Sequence, residues 1–114
     1  MSRMNHDSLI STETIAQAVA MLLDQSPVGT QVILFGSYAR GDANFESDLD
    51  FLVVQPTLTH RRAEMVRLRS LLRPLGVPAD VLVVSRPAFD AWKTLPNNVI
   101  NDAFTEGKVY EDAF

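Results

Sequence analysis

The chain has 114 residues, with ten Lys or Arg against fourteen Asp or Glu, and therefore a formal net charge of −4. This length suits one domain, and the hydrophobic fraction of 46% is high enough for a core and too high for a disordered tail. The absence of cysteine excludes disulfide bonds and thiolate metal sites, and no apolar run reaches the roughly 18 residues of a membrane span. We expect a single cytoplasmic domain over residues 1–114 that does not bind membranes and, being acidic, does not bind DNA directly.

The first half of the chain is expected to contain one long helix, a short helix and two strands. Residues 1–10 are polar and are expected to be loosely ordered. Ser11 can cap a helix that carries apolar side chains on one face, and Pro27 with Gly29 end that helix. The elements predicted after it are a strand at Gln31–Phe35, a helical turn at Ser37–Arg40, a polar loop at Gly41–Ser47 and a strand at Asp48–Val54.

Helices and strands alternate again in the second half. His60–Arg73 predicts a helix because apolar residues recur at helical spacing, and Ala79–Val84 predicts a third strand. Pro87 and Pro96 each suit the first turn of a short helix, and Lys108–Tyr110 is expected to be extended. The alternation favours an α/β or α+β domain with one small sheet flanked by helices. The last helix is expected to end at Gly107 and to turn inward the side chains of Val99, Ile100, Ala103 and Phe104.

Five of the ten basic residues fall within the helix predicted over His60–Arg73. Either they form a solvated face whose long side chains cover apolar surface, or they form a docking face for an acidic partner or RNA. Among the aromatic residues, Trp92 and Phe114 are the ones most expected to be left for a partner to cover. The five basic residues are Arg61, Arg62, Arg67, Arg69 and Arg73.

The strand predicted at Asp48–Val54 begins with two acidic residues. Asp is unfavourable in strands, yet Asp48 and Asp50 open a run of Leu, Phe and Val. Side chains alternate across a strand, so these carboxylates share one face about 6.5–7 Å apart and repel each other unless a cation lies between them. Mg²⁺ binds carboxylate oxygens and substrate phosphates, and two such ions roughly 3.5–4 Å apart can assist an in-line displacement at phosphorus. The alternative is a pair of solvated acids at the edge of a strand.

Gly36 and Ser37 lie between a predicted strand and a predicted helical turn. Glycine lets a phosphate approach the backbone closely, and unpaired N–H groups and a serine hydroxyl can donate hydrogen bonds to it. The GxxxxGK[ST] and GxGxxG motifs are absent, which excludes a P-loop and a dinucleotide-binding fold. The alternative is that Gly36 serves only a turn that requires positive φ, and that Ser37 serves only as a helix cap. A phosphate-binding turn beside a metal-binding carboxylate pair is the minimum that phosphoryl or nucleotidyl transfer requires.

Together these motifs resemble those of a known superfamily. Gly36-Ser37, ten intervening residues and Asp48-x-Asp50 resemble the signature of the DNA polymerase β-like nucleotidyltransferases. The segment GSYARGDANFESDLDFLV is similar to the minimal nucleotidyltransferases (MNT proteins) in particular, and the similarity extends to the closing segment NVINDAFTEGKVYED. The resemblance implies one nucleotidyltransferase-fold domain with a small mixed β-sheet flanked by helices.

The resemblance also implies a third carboxylate on a later strand. Asp80 is the matching residue, because it stands at the head of an apolar strand as Asp50 does, and it could also accept the proton of the incoming hydroxyl. An acid in this position can also be a simple turn residue. Arg40 could hold phosphate charge or could pair with Asp42 or Asp48 as a structural contact. The implied catalytic and metal-binding triad is Asp48, Asp50 and Asp80, and the implied nucleotide-binding residues are Gly36, Ser37 and Arg40.

Many MNT proteins are antitoxins of helical HEPN ribonuclease toxins. The resemblance therefore implies a Mg²⁺-dependent protein adenylyltransferase, using two ions, that transfers AMP from ATP to a tyrosine of its toxin, releases pyrophosphate and forms a hetero-oligomer with that toxin. Two alternatives stay open: an antitoxin that neutralises the toxin by binding alone, and a nucleotidyltransferase acting on a small molecule. Larger members grip their acceptor with an additional domain, so the short chain disfavours the last alternative.

Overall fold

The structure is a computed structural model that describes residues 9–112. Most of the segment expected to be loosely ordered, residues 1–8, lies outside the described residues, as does Phe114. At the end of that segment, the backbone N–H of Ile10 donates a hydrogen bond to the hydroxyl of Tyr38 at 3.0 Å. The described chain is therefore attached to the body of the domain at its second residue, Ile10.

Residues 9–112 contain five α-helices, a 3₁₀ turn and four strands. Local sequence explains several boundaries: the Ser11 hydroxyl accepts the Thr14 N–H and caps the first helix, as predicted. In chain order the elements are α1 (Thr12–Asp24), β1 (Gln31–Phe35), α2 (Ser37–Arg40), β2 (Leu49–Gln55), α3 (Arg61–Leu71), the 3₁₀ turn (Arg73–Leu75), β3 (Ala79–Ser85), α4 (Arg86–Trp92), α5 (Val99–Glu106) and β4 (Lys108–Glu111).

The four strands form one mixed sheet in the order β3-β2-β1-β4. β1 is antiparallel to both β2 and β4, whereas β2 and β3 are parallel. The carboxyl end of β1 therefore lies at the same edge of the sheet as the amino ends of β2, β3 and β4. This mixed sheet flanked by helices confirms the predicted fold class.

Helices cover both faces of the sheet and create two clusters of buried side chains. On one face, α1 and α3 contribute side chains such as Leu22 and Leu68, which pack on alternate strand residues such as Phe51. On the other face, α4 and α5 contribute Phe89 and Ala103, which lie over the remaining strand residues. Even-numbered positions of β2 face α4 and α5, so Asp50 points towards that second face.

The last helix differs from the expectation based on Pro96. α5 begins at Val99, because the Asn98 side chain caps it by accepting the Asn101 N–H at 2.9 Å. The prediction that Val99 and Phe104 point inward is wrong, since they are 42% and 47% exposed. The prediction is confirmed for Ala103, which is buried, and for the end of the helix at Gly107.

Three arginines of the basic helix α3 are bound to other parts of the domain. Arg61 donates to the carbonyl oxygen of Val83 at 2.7 Å, and Arg67 donates to that of Gln25 at 2.7 Å. Arg69 forms an ion pair across to β3, described below. These arginines anchor α3 to the sheet and to the end of α1. None of the helices within residues 9–112 is both long and apolar enough to cross a lipid bilayer.

Candidate functional site

The predicted aspartates lie at the edge of the sheet where β2 and β3 begin. Asp50 and Asp80 are register partners on these parallel strands, so their side chains point to the same face on strands roughly 4.8 Å apart. β2 starts at Leu49, one residue later than predicted. The backbone N–H of Leu49 donates a hydrogen bond to the carbonyl oxygen of Pro78 at 2.9 Å. Asp48 therefore stands immediately before the strand and is exposed, whereas Asp50 is half-buried.

Gly36 brings the backbone against the Asp50 carboxylate. The register pairs Phe35 of β1 with Asp50, and the chain turns at Gly36 with a φ of +78°. A Cβ atom added to Gly36 would collide with Oδ2 of Asp50 and lie 3.2 Å from its Cγ. Glycine is required here for two reasons: other residues rarely adopt this backbone conformation, and the Asp50 carboxylate occupies the space that a Cβ atom would fill.

Ser37 follows this turn as the first residue of α2. It is half-buried, and its hydroxyl has no hydrogen-bond partner within residues 9–112. The hydroxyl is therefore available to donate to an anionic ligand. Ser37 thus directly follows the glycine that lies against Asp50.

The Asp50 carboxylate lies in an unfavourable electrostatic environment. Burial raises its pKa above the ordinary value of 3.8, and the negative charges of Asp80, Asp48 and Glu106 raise it further, while Arg40 opposes the shift. The carboxylate is thus half-buried among like charges. A bound cation would remove this repulsion.

Glu106 is a fourth acid at this edge. It is the last residue of α5, and Oε2 of its side chain accepts the Gly36 N–H at 3.0 Å and Nη1 of Arg40 at 3.2 Å. Sequence reasoning missed Glu106. A signal was present, because a carboxylate in the last turn of a helix opposes the helix dipole and is unfavourable unless it is bound elsewhere.

Arg40 binds two carboxylates. It contacts Glu106 as described and Oδ2 of Asp42 at 3.3 Å, and both carboxylates raise the pKa of the guanidinium, with Asp42 contributing most. Of the two structural partners expected for Arg40, Asp42 is observed; Asp48 does not pair with it within residues 9–112. The Arg40 side chain is 47% exposed, so it can also contact a ligand.

Asp80 pairs with a cation of the protein. Nη2 of Arg69 on α3 donates to Oδ1 of Asp80 at 2.9 Å, and both side chains are about half exposed. Within residues 9–112, no group of three His, Cys, Asp or Glu residues is arranged to hold a metal ion. The chemistry of Asp48, Asp50 and Asp80 nevertheless suits Mg²⁺, because all three offer carboxylate oxygens and the charge of Asp50 is not neutralised.

A protein-family model described as a nucleotidyltransferase domain matches residues 15–109 of the sequence. The chain belongs to this nucleotidyltransferase family. The match contains the glycine-serine turn, the three aspartates and Glu106, so all of the site lies within the family's domain.

A solved structure shows the fold of this nucleotidyltransferase domain in another protein. It is described as "Crystal structure of the toxin-antitoxin with AMP-PNP", and its TM-score with this chain is 0.51. The two sequences are 23% identical, and the alignment covers 90% of this chain and 75% of that chain. At this identity the likeness establishes a common fold. A comparison with curated proteins finds no match.

Proposed function

We propose that this nucleotidyltransferase domain is an antitoxin that transfers AMP from ATP to a tyrosine hydroxyl of a HEPN ribonuclease toxin in a Mg²⁺-dependent reaction. One observation carries the proposal: the half-buried carboxylate of Asp50 lies between Asp80 and the Gly36-Ser37 turn. A carboxylate in this place is unfavourable for the free protein, as its raised pKa indicates, and becomes favourable beside a cation.

The residues of the site divide into two groups by the part of the substrate that they bind. Asp48, Asp50 and Asp80 would hold two magnesium ions, and such ions neutralise the charge of the triphosphate and of the departing pyrophosphate. Ser37 would donate its hydroxyl to a phosphate oxygen, and Arg40 would contribute charge from its exposed guanidinium. Arg69 occupies Oδ1 of Asp80 and competes with a metal ion for this carboxylate, whose Oδ2 is not engaged by Arg69.

The reaction is an in-line displacement at the α-phosphorus of ATP. The oxygen of the acceptor hydroxyl forms a bond to that phosphorus, and the bond to the bridging oxygen of the pyrophosphate breaks. The products are an AMP ester of the acceptor, pyrophosphate and one proton, which Asp80 accepts before it passes to solvent. The contribution of the protein is positioning and charge neutralisation, without a covalent enzyme intermediate.

The protein partner is inferred from two observations. The solved structure with the same fold is described as a toxin-antitoxin with AMP-PNP, which supports both a toxin and an adenine nucleotide as partners. In addition, Trp92, Leu95 and Val99 are 51%, 46% and 42% exposed around the junction of α4 and α5. Three exposed apolar side chains within eight residues of the chain suit a surface that a partner covers.

The proposal predicts that a HEPN protein is encoded beside this one, and it is tested with that protein, ATP labelled at the α-phosphate, and Mg²⁺. The wild-type protein should label the toxin, and labelling should cease when Mg²⁺ is chelated. The double variant Asp48→Ala/Asp50→Ala should remain folded by circular dichroism and give no label. As a control, the double variant Asp24→Ala/Asp102→Ala also removes two negative charges, but outside the site, and it should label the toxin as the wild type does. Full labelling by the first variant would refute the assigned roles.

A second candidate function is neutralisation of the toxin by binding alone. It is favoured by the absence, within residues 9–112, of three side chains already arranged around a metal position. Protection of cells from the toxin distinguishes the two functions. If catalysis neutralises the toxin, the Asp48→Ala/Asp50→Ala variant fails to protect although it still binds the toxin. If binding is sufficient, this variant protects as well as the wild type.

A further inference from the structure

The Glu106 carboxylate connects two parts of the proposed nucleotide site. A single oxygen, Oε2, accepts both the backbone N–H of Gly36 and Nη1 of Arg40, at 3.0 Å and 3.2 Å. Gly36 is adjacent to Ser37, and Arg40 ends the same short helix α2. Glu106 therefore holds both ends of the segment that carries all three residues expected to bind the nucleotide.

The fold fixes Glu106 firmly enough for this purpose. Gly107 follows it, and a Cβ at Gly107 would collide with Cγ2 of Ile33 and lie 3.1 Å from the carbonyl oxygen of Leu34. The end of α5 is therefore pressed against β1 with no space between them. The Glu106 side chain is only 26% exposed, so its position is set by the protein more than by solvent.

We infer that Glu106 is a positioning residue for the nucleotide: it fixes the Gly36-Ser37 turn and directs Arg40, and binding of ATP is weakened when it is lost. This inference rests on the proposed function and adds to it a residue that need not touch the substrate. The negative charge of Glu106 repels a triphosphate. If charge were its only effect, removal of Glu106 would strengthen ATP binding, whereas loss of a positioning residue weakens it.

Three single variants separate positioning from charge. Glu106→Ala removes both the acceptor and the charge, whereas Glu106→Gln removes the charge and keeps an oxygen that can accept both hydrogen bonds. Asp102→Ala removes one negative charge from the same helix, at a residue that forms no ion pair within residues 9–112. Each variant is first compared with the wild type by thermal unfolding, so that loss of structure is recognised.

Binding is measured by calorimetry with Mg²⁺ and α,β-methylene ATP, which cannot undergo the transfer. We expect Glu106→Ala to bind about tenfold more weakly, equivalent to about 1.4 kcal/mol, while Glu106→Gln and Asp102→Ala stay close to the wild type. In the nucleotide-free protein, amide hydrogen exchange at Gly36 should become faster in Glu106→Ala only, because this N–H loses its acceptor.

The outcomes distinguish this inference from the proposed function. Unchanged or tighter binding by Glu106→Ala, with normal binding by the wild type, overturns the inference and leaves the proposed function intact. Equal weakening in both Glu106 variants also overturns it, since an oxygen that accepts the two hydrogen bonds would then not be sufficient. If the wild type binds no nucleotide, the proposed function fails, and the effect on ATP binding fails with it; the exchange rate of Gly36 still decides whether Glu106 fixes the turn.

Discussion

Substitution of Gly36 by Ala tests the geometry of the site most directly. At its φ of +78° and ψ of −157°, a residue with a Cβ is strained by about 1–3 kcal/mol. The added Cβ would also meet Oδ2 of Asp50, and Cγ of Asp50 at 3.2 Å, so the carboxylate must move. We expect the variant to be less stable and its rate of AMP transfer to fall by about a hundredfold, which is the effect of a displacement of about 1 Å at a reacting centre.

Gly41→Ala is the matched control. Gly41 also has positive φ, at +87°, yet a Cβ there would meet nothing within 4 Å. This substitution should therefore destabilise the fold by about 1–2 kcal/mol from backbone strain alone and leave transfer to the toxin close to that of the wild type. The difference between the two variants isolates the contact between position 36 and Asp50.

Both variants are measured by urea unfolding followed by circular dichroism, and by transfer of labelled AMP at a temperature where each is folded. With a urea dependence of roughly 1–3 kcal/mol per M for a small protein, 1 kcal/mol shifts the unfolding midpoint by roughly 0.3–1 M, so the strain is readily detected. The reasoning is refuted if Gly36→Ala transfers AMP like the wild type, or if Gly41→Ala loses activity to the same extent.

Two further predictions concern the charges of the site. Because burial and like charges raise the pKa of Asp50, the folded protein binds more protons than the unfolded chain between pH 3.8 and the raised pKa, and stability falls as pH rises through this window. Asp50→Asn should therefore be more stable than the wild type in urea at pH 7 and equal to it below the window; a less stable variant at pH 7 would contradict the assigned cause. Arg69→Ala removes an exposed ion pair with Asp80 and should change the unfolding free energy by less than about 1 kcal/mol. Calorimetry should show tighter Mg²⁺ binding by this variant because Asp80 is released, and weaker binding would argue against Asp80 as a ligand.

Local sequence patterns were sufficient to predict most of the elements that carry the site. The run Gln31–Phe35 is apolar and β-branched and ends at a glycine, and it forms β1 with those bounds. The alternation rule placed Asp50 on the face opposite Leu49 and Phe51, as the structure confirms. Asp80 was selected because the resemblance implies a third carboxylate on a later strand, and Asp80 opens such a strand. The mixed sheet then makes these two residues neighbours. Their roles as metal ligands stay predictions.

The contacts that sequence reasoning missed connect residues that are far apart in the chain. Glu106 binds the N–H of Gly36 across 70 positions, and Arg69 binds Asp80 from a helix whose arginines all resemble solvated residues. Neither pairing follows from periodicity, because periodicity describes only which face of its own element a residue occupies. The start of α5 was missed for a different reason: Pro96 suits a first turn, but the Asn98 side chain forms the cap.

The features that are locally unfavourable lie together at one edge of the sheet. Asp50 interrupts an apolar strand, Gly36 has a backbone conformation that other residues rarely adopt, and Glu106 opposes a helix dipole. Glu106 is stabilised by its two donors, and the conformation at position 36 carries no strain because the residue is glycine. The Asp50 side chain, in contrast, has no hydrogen bond or ion pair within the described residues, and Arg40 only partly offsets the burial and the like charges that raise its pKa. Residues that are locally unfavourable and are not stabilised inside the protein are expected where a ligand supplies the missing interaction. The proposed function assigns that ligand for Asp50: a metal cation bound together with a nucleotide.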